Sequence, residues 1–262
     1  MRHVYLREYI PQTEPFTLEA LTSMLGQYGM VYVKPDTGTF GSGVIRVETA
    51  EGGYTAQLGT QLYRYPSTGQ LHEGLLQLKS KGRYVIQRGI ELLRHRNRRF
   101  DVRVMVQQNP RGRWETTGII GRLSHPKRIV TNYHSGGTPT PFQALASDHL
   151  DTDGQREYMR KLRVLGTTVA AQLATQYPRL REIGIDVAID TALQPWILEV
   201  NTLPDPFIFK RLKVKSVFRK MYRYAQAYGR FRSMSAQERG PAVSRGRRTA
   251  GRYKKTARHQ SR

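Results

Sequence analysis

Gly184-Ile-Asp-Val-Ala-Ile-Asp190 and, five residues on, Trp196-Ile-Leu-Glu-Val-Asn201 are the stretches on which the fold reading turns. Both are short and apolar with a turn between them, so they read as two strands, 185–189 and 196–200. In the second, Glu199 and Asn201 are two apart and leave by one face, while Leu198 and Val200 leave by the other, toward a core. Asp186 interrupts an otherwise apolar strand, where a lone carboxylate is costly to bury. Two carboxylates and an amide oxygen are hard donors of the kind Mg²⁺ accepts, with phosphate oxygens and waters completing its shell. Asp186, Glu199 and Asn201 are therefore the candidate metal ligands. The competing reading is a hairpin that turns polar residues to solvent. Asp190 begins the turn Asp190-Thr-Ala-Leu-Gln-Pro195 and is assigned to turn formation.

Upstream, residues 100–107 alternate, with Phe100, Val102, Val104 and Val106 on one face and Asp101, Arg103, Met105 and Gln107 on the other. The turn Asn109-Pro-Arg-Gly112 leads back into 114–123, giving an antiparallel pair that ends near Arg122. Arg103 and Arg122, set opposite the carboxylates, could hold a phosphoryl group in transfer. The alternative for Arg103 is an ion pair with Asp101 or another acid. Residues 84–90 read as a further strand running into the basic turn Arg94-His-Arg-Asn-Arg-Arg99. Residues 124–154 lack periodicity and read as loops. A helix from about 155 to 177 carries Met159, Leu162, Leu165, Val169 and Leu173 on one stripe and stops at Pro178. A last helix spans 207 to about 228. Antiparallel strands with long helices toward the end make an α+β fold.

Near the N-terminus, residues 14–29 read as a helix with Thr17 as N-cap and Gly29 at its end, followed by the strand 30–34 and a second strand, 44–47. Between them lies Lys34-Pro-Asp-Thr-Gly-Thr-Phe-Gly-Ser-Gly43. Gly38, Gly41 and Gly43 let the backbone, with Ser42, approach an anion closely, and Lys34 adds a point charge. The lysine comes first and a strand follows, the reverse of a P-loop, where Gly-Lys-Ser/Thr opens a helix. A flap between two strands, lying over a nucleotide, fits the order; a plain glycine-rich hairpin tip is the alternative. Another hairpin is expected around Gly59, with strand residues from Tyr54 to Tyr65.

Taken in order, Lys34 with its glycine flap, Gln87 to Ile90, Asp101-x-Arg103, Asn132 with Gly136-Gly137, Asp186 and Glu199-x-Asn201 resemble the ATP-grasp superfamily. Val31-Tyr-Val-Lys-Pro35, the Gln-Arg-Gly-Ile run and Leu198-Glu-Val-Asn-Thr-Leu-Pro204 are similar to the YheC/YheD endospore coat-associated proteins. The resemblance implies two α+β subdomains, about 14–88 and 89–228 within a domain 1–228, holding ATP between antiparallel sheets. It implies that Lys34 and the flap hold the phosphates and that adenine lies beside Gln87, Arg88, Gly89 and Ile90. Leu198 and Met105 are apolar candidates against the base, with ordinary core as the commoner reading of each. Arg103 would then lie near the γ-phosphate, and Asp186, Glu199 and Asn201 would bind Mg²⁺. Lys34, Arg103 and Arg122 become the candidate catalytic residues. The implied activity is ATP-dependent ligation of a carboxylate to an amine through an acyl-phosphate, on substrates the sequence does not name. Many ligases of this type carry a further α/β domain before the flap, whereas 33 residues precede Lys34 here.

Composition narrows the alternatives. With no cysteine there is no disulfide, thiolate metal site or cysteine nucleophile. No apolar run approaches the roughly 20 residues of a membrane span, and nothing at the N-terminus directs export, so a cytoplasmic or, by resemblance, spore-associated protein is expected. The net charge is +23. Eleven Lys/Arg against Glu238 fall in 229–262, a segment expected to be a disordered basic tail that could meet an acidic polymer or a spore-coat partner. Two competing functions follow: a spore-associated structural protein that holds Mg-ATP without turnover, and a binder of nucleic acid or acidic polymer working through charge.

Overall fold

The computed structural model describes residues 4–38, 41–126, 128–131 and 133–231. After a short helix α1 (Val4–Arg7), strand β1 (Thr13–Pro15) precedes helix α2 (Leu18–Tyr28). The Thr17 hydroxyl accepts from the Ala20 N–H at 3.1 Å, and Gly29, at φ 68°, closes the helix with its N–H on the Leu25 carbonyl. Residues 14 and 15 thus belong to a strand rather than to the helix expected there. Pro15 biases Glu14 toward an extended backbone, and Thr13–Pro15 pairs with Val85–Gln87.

Strands β2 (Met30–Pro35), β3 (Ile45–Ala50), β4 (Gly53–Leu58) and β5 (Gln61–Tyr65) follow as a meander. Helix α3 (Thr68–Leu78), which the sequence reading lacked, is capped by Ser67 and buries Leu71 and Leu75. With β6 (Tyr84–Arg88) they form the first sheet, in the order β1-β6-β2-β3-β4-β5. One face packs Val31, Val33, Ile45, Val47 and Ile86 against Leu21, Met24, Leu71 and Leu75 of the two helices. By alternation the opposite face of β2 carries Tyr32 and Lys34.

The second sheet is assembled from β7 (Arg94–His95), β8 (Arg98–Gln108), β9 (Trp114–Leu123), β10 (Thr138–Thr140), β11 (Glu182–Ile189) and β12 (Pro195–Asn201). Its order is β10-β9-β8-β11-β12, with β7 pairing β8. The basic run at 94–99 is the tight β7–β8 turn, with Arg96 and Asn97 at φ 50° and 63°. Val102, Val104 and Val106 pack with Leu162, Leu165 and Val169 of α5 (Thr152–Ala174), which Asp151 caps. The stretch expected to be loops also holds β10 and α4 (Phe142–Ala146), because Phe142, Leu145 and Ala146 reach the same core.

The other face of this sheet is divided. Met105 and Ile120 are covered by Phe209 and by Met221 of α6 (Lys215–Ala227), so Met105 is core and does not meet a ligand. The single last helix expected is broken into a 3₁₀ turn, Phe207–Arg211, and α6. Beyond α6 the chain stays on the body: Arg230 donates its N–H to the Ala225 carbonyl at 2.9 Å, and Phe231 stacks on Tyr222. The basic tail from residue 232 lies outside the described residues. Asp101 and Arg103 occupy the part of that face that α6 leaves open, and there the two sheets face one another.

Candidate functional site

A cleft separates the sheets and has two connected parts, both lined by Lys34, Gly41, Val44, Arg122 and Glu199. The inner part is walled by Tyr32, Ile90, Leu92, Ile129, Val130 and Leu198, an apolar slot of the kind a base ring fills. The outer part holds Gly38, Ser42, Arg103, Asn201, Leu203 and Arg230.

Lys34 joins the two halves. Its ammonium donates to Gln87 Oε1 at 2.9 Å on the neighbouring strand and to the Leu198 carbonyl at 3.1 Å on the opposite sheet. Gln87 in turn donates to Thr13 at 2.9 Å, so its buried side chain fixes the lysine and does not point at a base. Burial pulls the Lys34 pKa down, and the Glu199 and Asp186 carboxylates only partly offset this. An anion arriving in the cleft would push that pKa back up.

On the second sheet, Asp186 and Glu199 are directly paired across β11 and β12, at a register irregularity, and Asn201 lies opposite Gly184. Gly184 has room only for hydrogen: a Cβ there would lie 2.5 Å from Pro204 and 3.3 Å from Arg103. Arg103, opposite Asp186 in the β8–β11 register, grips both oxygens of that carboxylate, one of them at 3.1 Å. Arg122 spans two acids, with bonds of 2.8 and 2.5 Å to Asp101 and 2.8 Å to Asp186. Thr131 completes the Asp101 shell at 2.6 Å. The ion-pair reading of Arg103 is met, but with Asp186 as the acid: the register gives Arg103 to Asp186 and Asp101 to Arg122.

Charges follow this wiring. Burial alone would raise the Asp186 pKa, but Arg122 and Arg103 outweigh it and hold the carboxyl below its usual range. The same acids keep the buried Arg122 guanidinium charged despite its desolvation. Glu199 moves the other way, pushed up by its crowded surroundings and then by Asp186 beside it, although Asn201 donates to it at 2.9 Å. It nevertheless remains exposed to the cleft. A carboxylate held partly toward its neutral form beside a second carboxylate is a place where a divalent cation relieves repulsion, and Asn201 adds a neutral oxygen. The donor set fits Mg²⁺, which takes few protein ligands.

Other expected residues divide plainly. Arg88 lies in the inner cleft with its guanidinium stacked over Trp196 at 4.7 Å and Tyr28 at 5.0 Å. Gly89 spends its N–H on the Met30 carbonyl at 2.9 Å, and a Cβ there would meet the Met30 side chain at 2.6 Å, so this glycine shapes the strand end. Gly43, at φ 73°, packs toward Pro35 and Tyr84 and sets the flap's exit. Thr39 and Phe40 of the flap, and Asn132 of the set resembling the ATP-grasp superfamily, lie outside the described residues. Asp190 caps its turn, accepting from Ala192 and Gln194 N–H groups and from Trp196 Nε1. Sequence reading missed the Asp101–Arg122–Thr131 cluster, the Gln87 side chain's role and the slot walls Ile129 and Val130. The apolar pair Ile129-Val130 inside a polar loop was the available signal.

The chain matches the family described as YheC/D-like ATP-grasp over residues 1–231. It is 27% identical over 219 residues to the endospore coat-associated protein YheD of Bacillus subtilis (strain 168), covering 78% of this chain and 48% of that protein. It is 22% identical over 207 residues to YheC of the same organism, covering 78% and 57%. The chain thus spans about half the length of these curated relatives. Among solved structures it is similar in fold to the D-cycloserine synthetase DcsG, with a TM-score of 0.50 and 11% identity over 85% of this chain and 69% of the other. Among the described residues no helix is long and apolar enough to cross a membrane.

Proposed function

The chain belongs to the YheC/D-like ATP-grasp family, whose fold implies ATP binding, and on that premise we propose that it is an ATP-dependent ligase joining a carboxylate to an amine. The observation that carries this reading is the bond from Lys34 to the Leu198 carbonyl, next to Glu199, which closes the flap-bearing sheet onto the acidic strands across one cleft. In this reading adenine fills the slot between Ile90, Leu92 and Leu198, beside the strand end 87–90, and the flap residues Gly38, Gly41 and Ser42 follow the phosphates. Asp186, Glu199 and Asn201 would hold Mg²⁺, which when bound offsets phosphate charge. Lys34 orients the phosphate chain. Arg103 and Arg122 are pre-set by their acids to stabilise charge on the group in transfer, with little reorganisation left to do.

The reaction class balances simply. The γ-phosphoryl passes to a carboxylate oxygen, leaving ADP; an amine then attacks the carbonyl carbon, phosphate departs and the nitrogen loses a proton. The relatives' names support adding spore association to the proposal. The test is calorimetric titration with Mg-ATP followed by an ADP-release screen over paired carboxylates and amines. Substrate-dependent ADP formation that vanishes in Lys34→Ala and Glu199→Gln is the expected result. Tight nucleotide binding with no ADP release from any pair would leave a nucleotide-holding structural protein instead.

A further inference from the structure

The outer part of the cleft extends from the flap and Glu199 to a far wall built from residues C-terminal to β12. Arg230, just past α6, lines it with a side chain only 17% exposed. Its Nη1 is fixed on Glu182, a buried acid at the start of β11 that also receives the Tyr228 hydroxyl at 2.5 Å. A single N–H is used in that bond, and a guanidinium carries five. The group is therefore held rigid while retaining donors toward the chamber. Arg211 donates at 3.1 Å to the hydroxyl of Tyr133, which lines the chamber. Leu203, 74% exposed, gives the same wall an apolar surface. The described chain ends at Phe231 beside this mouth, and residues 232–262 add ten Lys/Arg against one acid.

We propose that this outer chamber is an acceptor subsite for an acidic peptide, anchored by Arg230 and drawn in by Arg211 beside it. The inference rests on the ligase reading for its choice of substrate. A peptide of glutamate or aspartate residues offers one carboxylate to the Arg103–Arg122 pair and further carboxylates, a residue or two along, to Arg230 and Arg211. Its methylene groups meet Leu203. A single-stranded nucleic acid suits the rim charge but brings no carboxylate. The nearby rings are also spent on one another: Tyr222 stacks on Phe231 at 4.9 Å, Phe207 touches Phe218 and Phe231, and Lys210 covers Phe207 at 4.8 Å. Tyr133, the partly exposed ring that lines the chamber, has the Arg211 guanidinium over it at 5.9 Å, so a base would have to compete with a cation for that face.

The experiment is fluorescence anisotropy with a labelled glutamate octamer and the full chain, with and without Mg-ATP, against a thymidine oligonucleotide of equal charge. Arg230→Gln should weaken peptide binding roughly tenfold, Arg230→Lys less so, because a lysine keeps charge without the fork. Leu203→Glu, at an exposed position outside the Glu182 network, should also weaken it roughly tenfold through like-charge repulsion. Unchanged peptide affinity in Leu203→Glu, or equal competition by the oligonucleotide, overturns the subsite. Peptide binding with these sensitivities but no Mg-ATP binding would sink the ligase reading and leave the anionic subsite standing. Mg-ATP binding without peptide binding would do the reverse.

Discussion

Replacing Asp101 by Asn tests how the cleft is wired. Asp101 is 2% exposed and accepts three bonds, two from Arg122, itself 3% exposed, and one from Thr131. Asn keeps the shape but removes the charge and turns an NH₂ toward a donor. Arg122 retains Asp186 at 2.8 Å, so the buried guanidinium is not fully orphaned. Breaking a buried ion pair from one side costs about 3–5 kcal/mol, and the remaining partner puts the expected loss near the lower end, about 3 kcal/mol. For a chain of this size that corresponds to a melting temperature lower by roughly 6–12 °C. Thr131→Val, which removes one neutral donor, should cost about 1 kcal/mol. Adding Arg122→Met to the Asp101→Asn background should recover part of the loss, since it removes the undercompensated charge. The assay is thermal melting followed by circular dichroism, with calorimetry of Mg-ATP alongside. Without Asp101, Arg122 leans wholly on Asp186, and Mg²⁺ affinity should fall as well. A melting shift below about 2 °C, or strictly additive losses in the double variant, would refute the argument.

Four other outcomes are expected. Because the Glu199 pKa is raised, Mg-ATP should bind less tightly as pH falls through that raised range, where the carboxyl takes up a proton; in Glu199→Gln this pH dependence disappears, which calorimetry at several pH values would reveal. The lowered Asp186 pKa has the opposite sign for folding: its pairing stabilises the fold above the unfolded value of about 3.9 and is lost as acid passes the folded value. Gly43→Ala, where a Cβ would lie 2.9 Å from the Tyr84 hydroxyl at φ 73°, should distort the flap and weaken nucleotide binding, whereas Gly59→Ala, at φ 62° with open space, should cost stability of about 1–2 kcal/mol and leave binding alone. Equal nucleotide affinity in both variants would remove the flap from the site. Deleting residues 232–262 should flatten the salt dependence of association with an acidic polymer and leave Mg-ATP affinity intact, measured on matched salt series.

Much of the architecture was legible because its signals are local. The alternation through 100–107 gave β8 both of its faces, and Thr17 and Gly29 marked the ends of α2 through capping chemistry that acts within four residues. The start of α2 was misjudged because residues 13–15 are claimed by a strand pairing more than seventy positions away. Helix α3 was missed with its cap, Ser67, in plain view, since Leu71 and Leu75 are too few to make a strong stripe. For Met105 the ordinary-core reading is the one the structure bears out, although alternation assigns a face without saying what covers it. The arrival of α6 turned half of one face into core and left Asp101 and Arg103 in the cleft.

By itself, the sequence determined the strands, the flap order and the kinds of donor at 34, 103, 122, 186, 199 and 201, because period, spacing and side-chain chemistry are properties of short segments. Only the tertiary structure decided who pairs with whom. Arg103 went to Asp186 because β8 lies beside β11 in that register, and Lys34 reached the Leu198 carbonyl because two sheets close over one cleft. Such pairings depend on contacts up to 164 residues apart, and an arginine carries no mark of which distant carboxylate will face it.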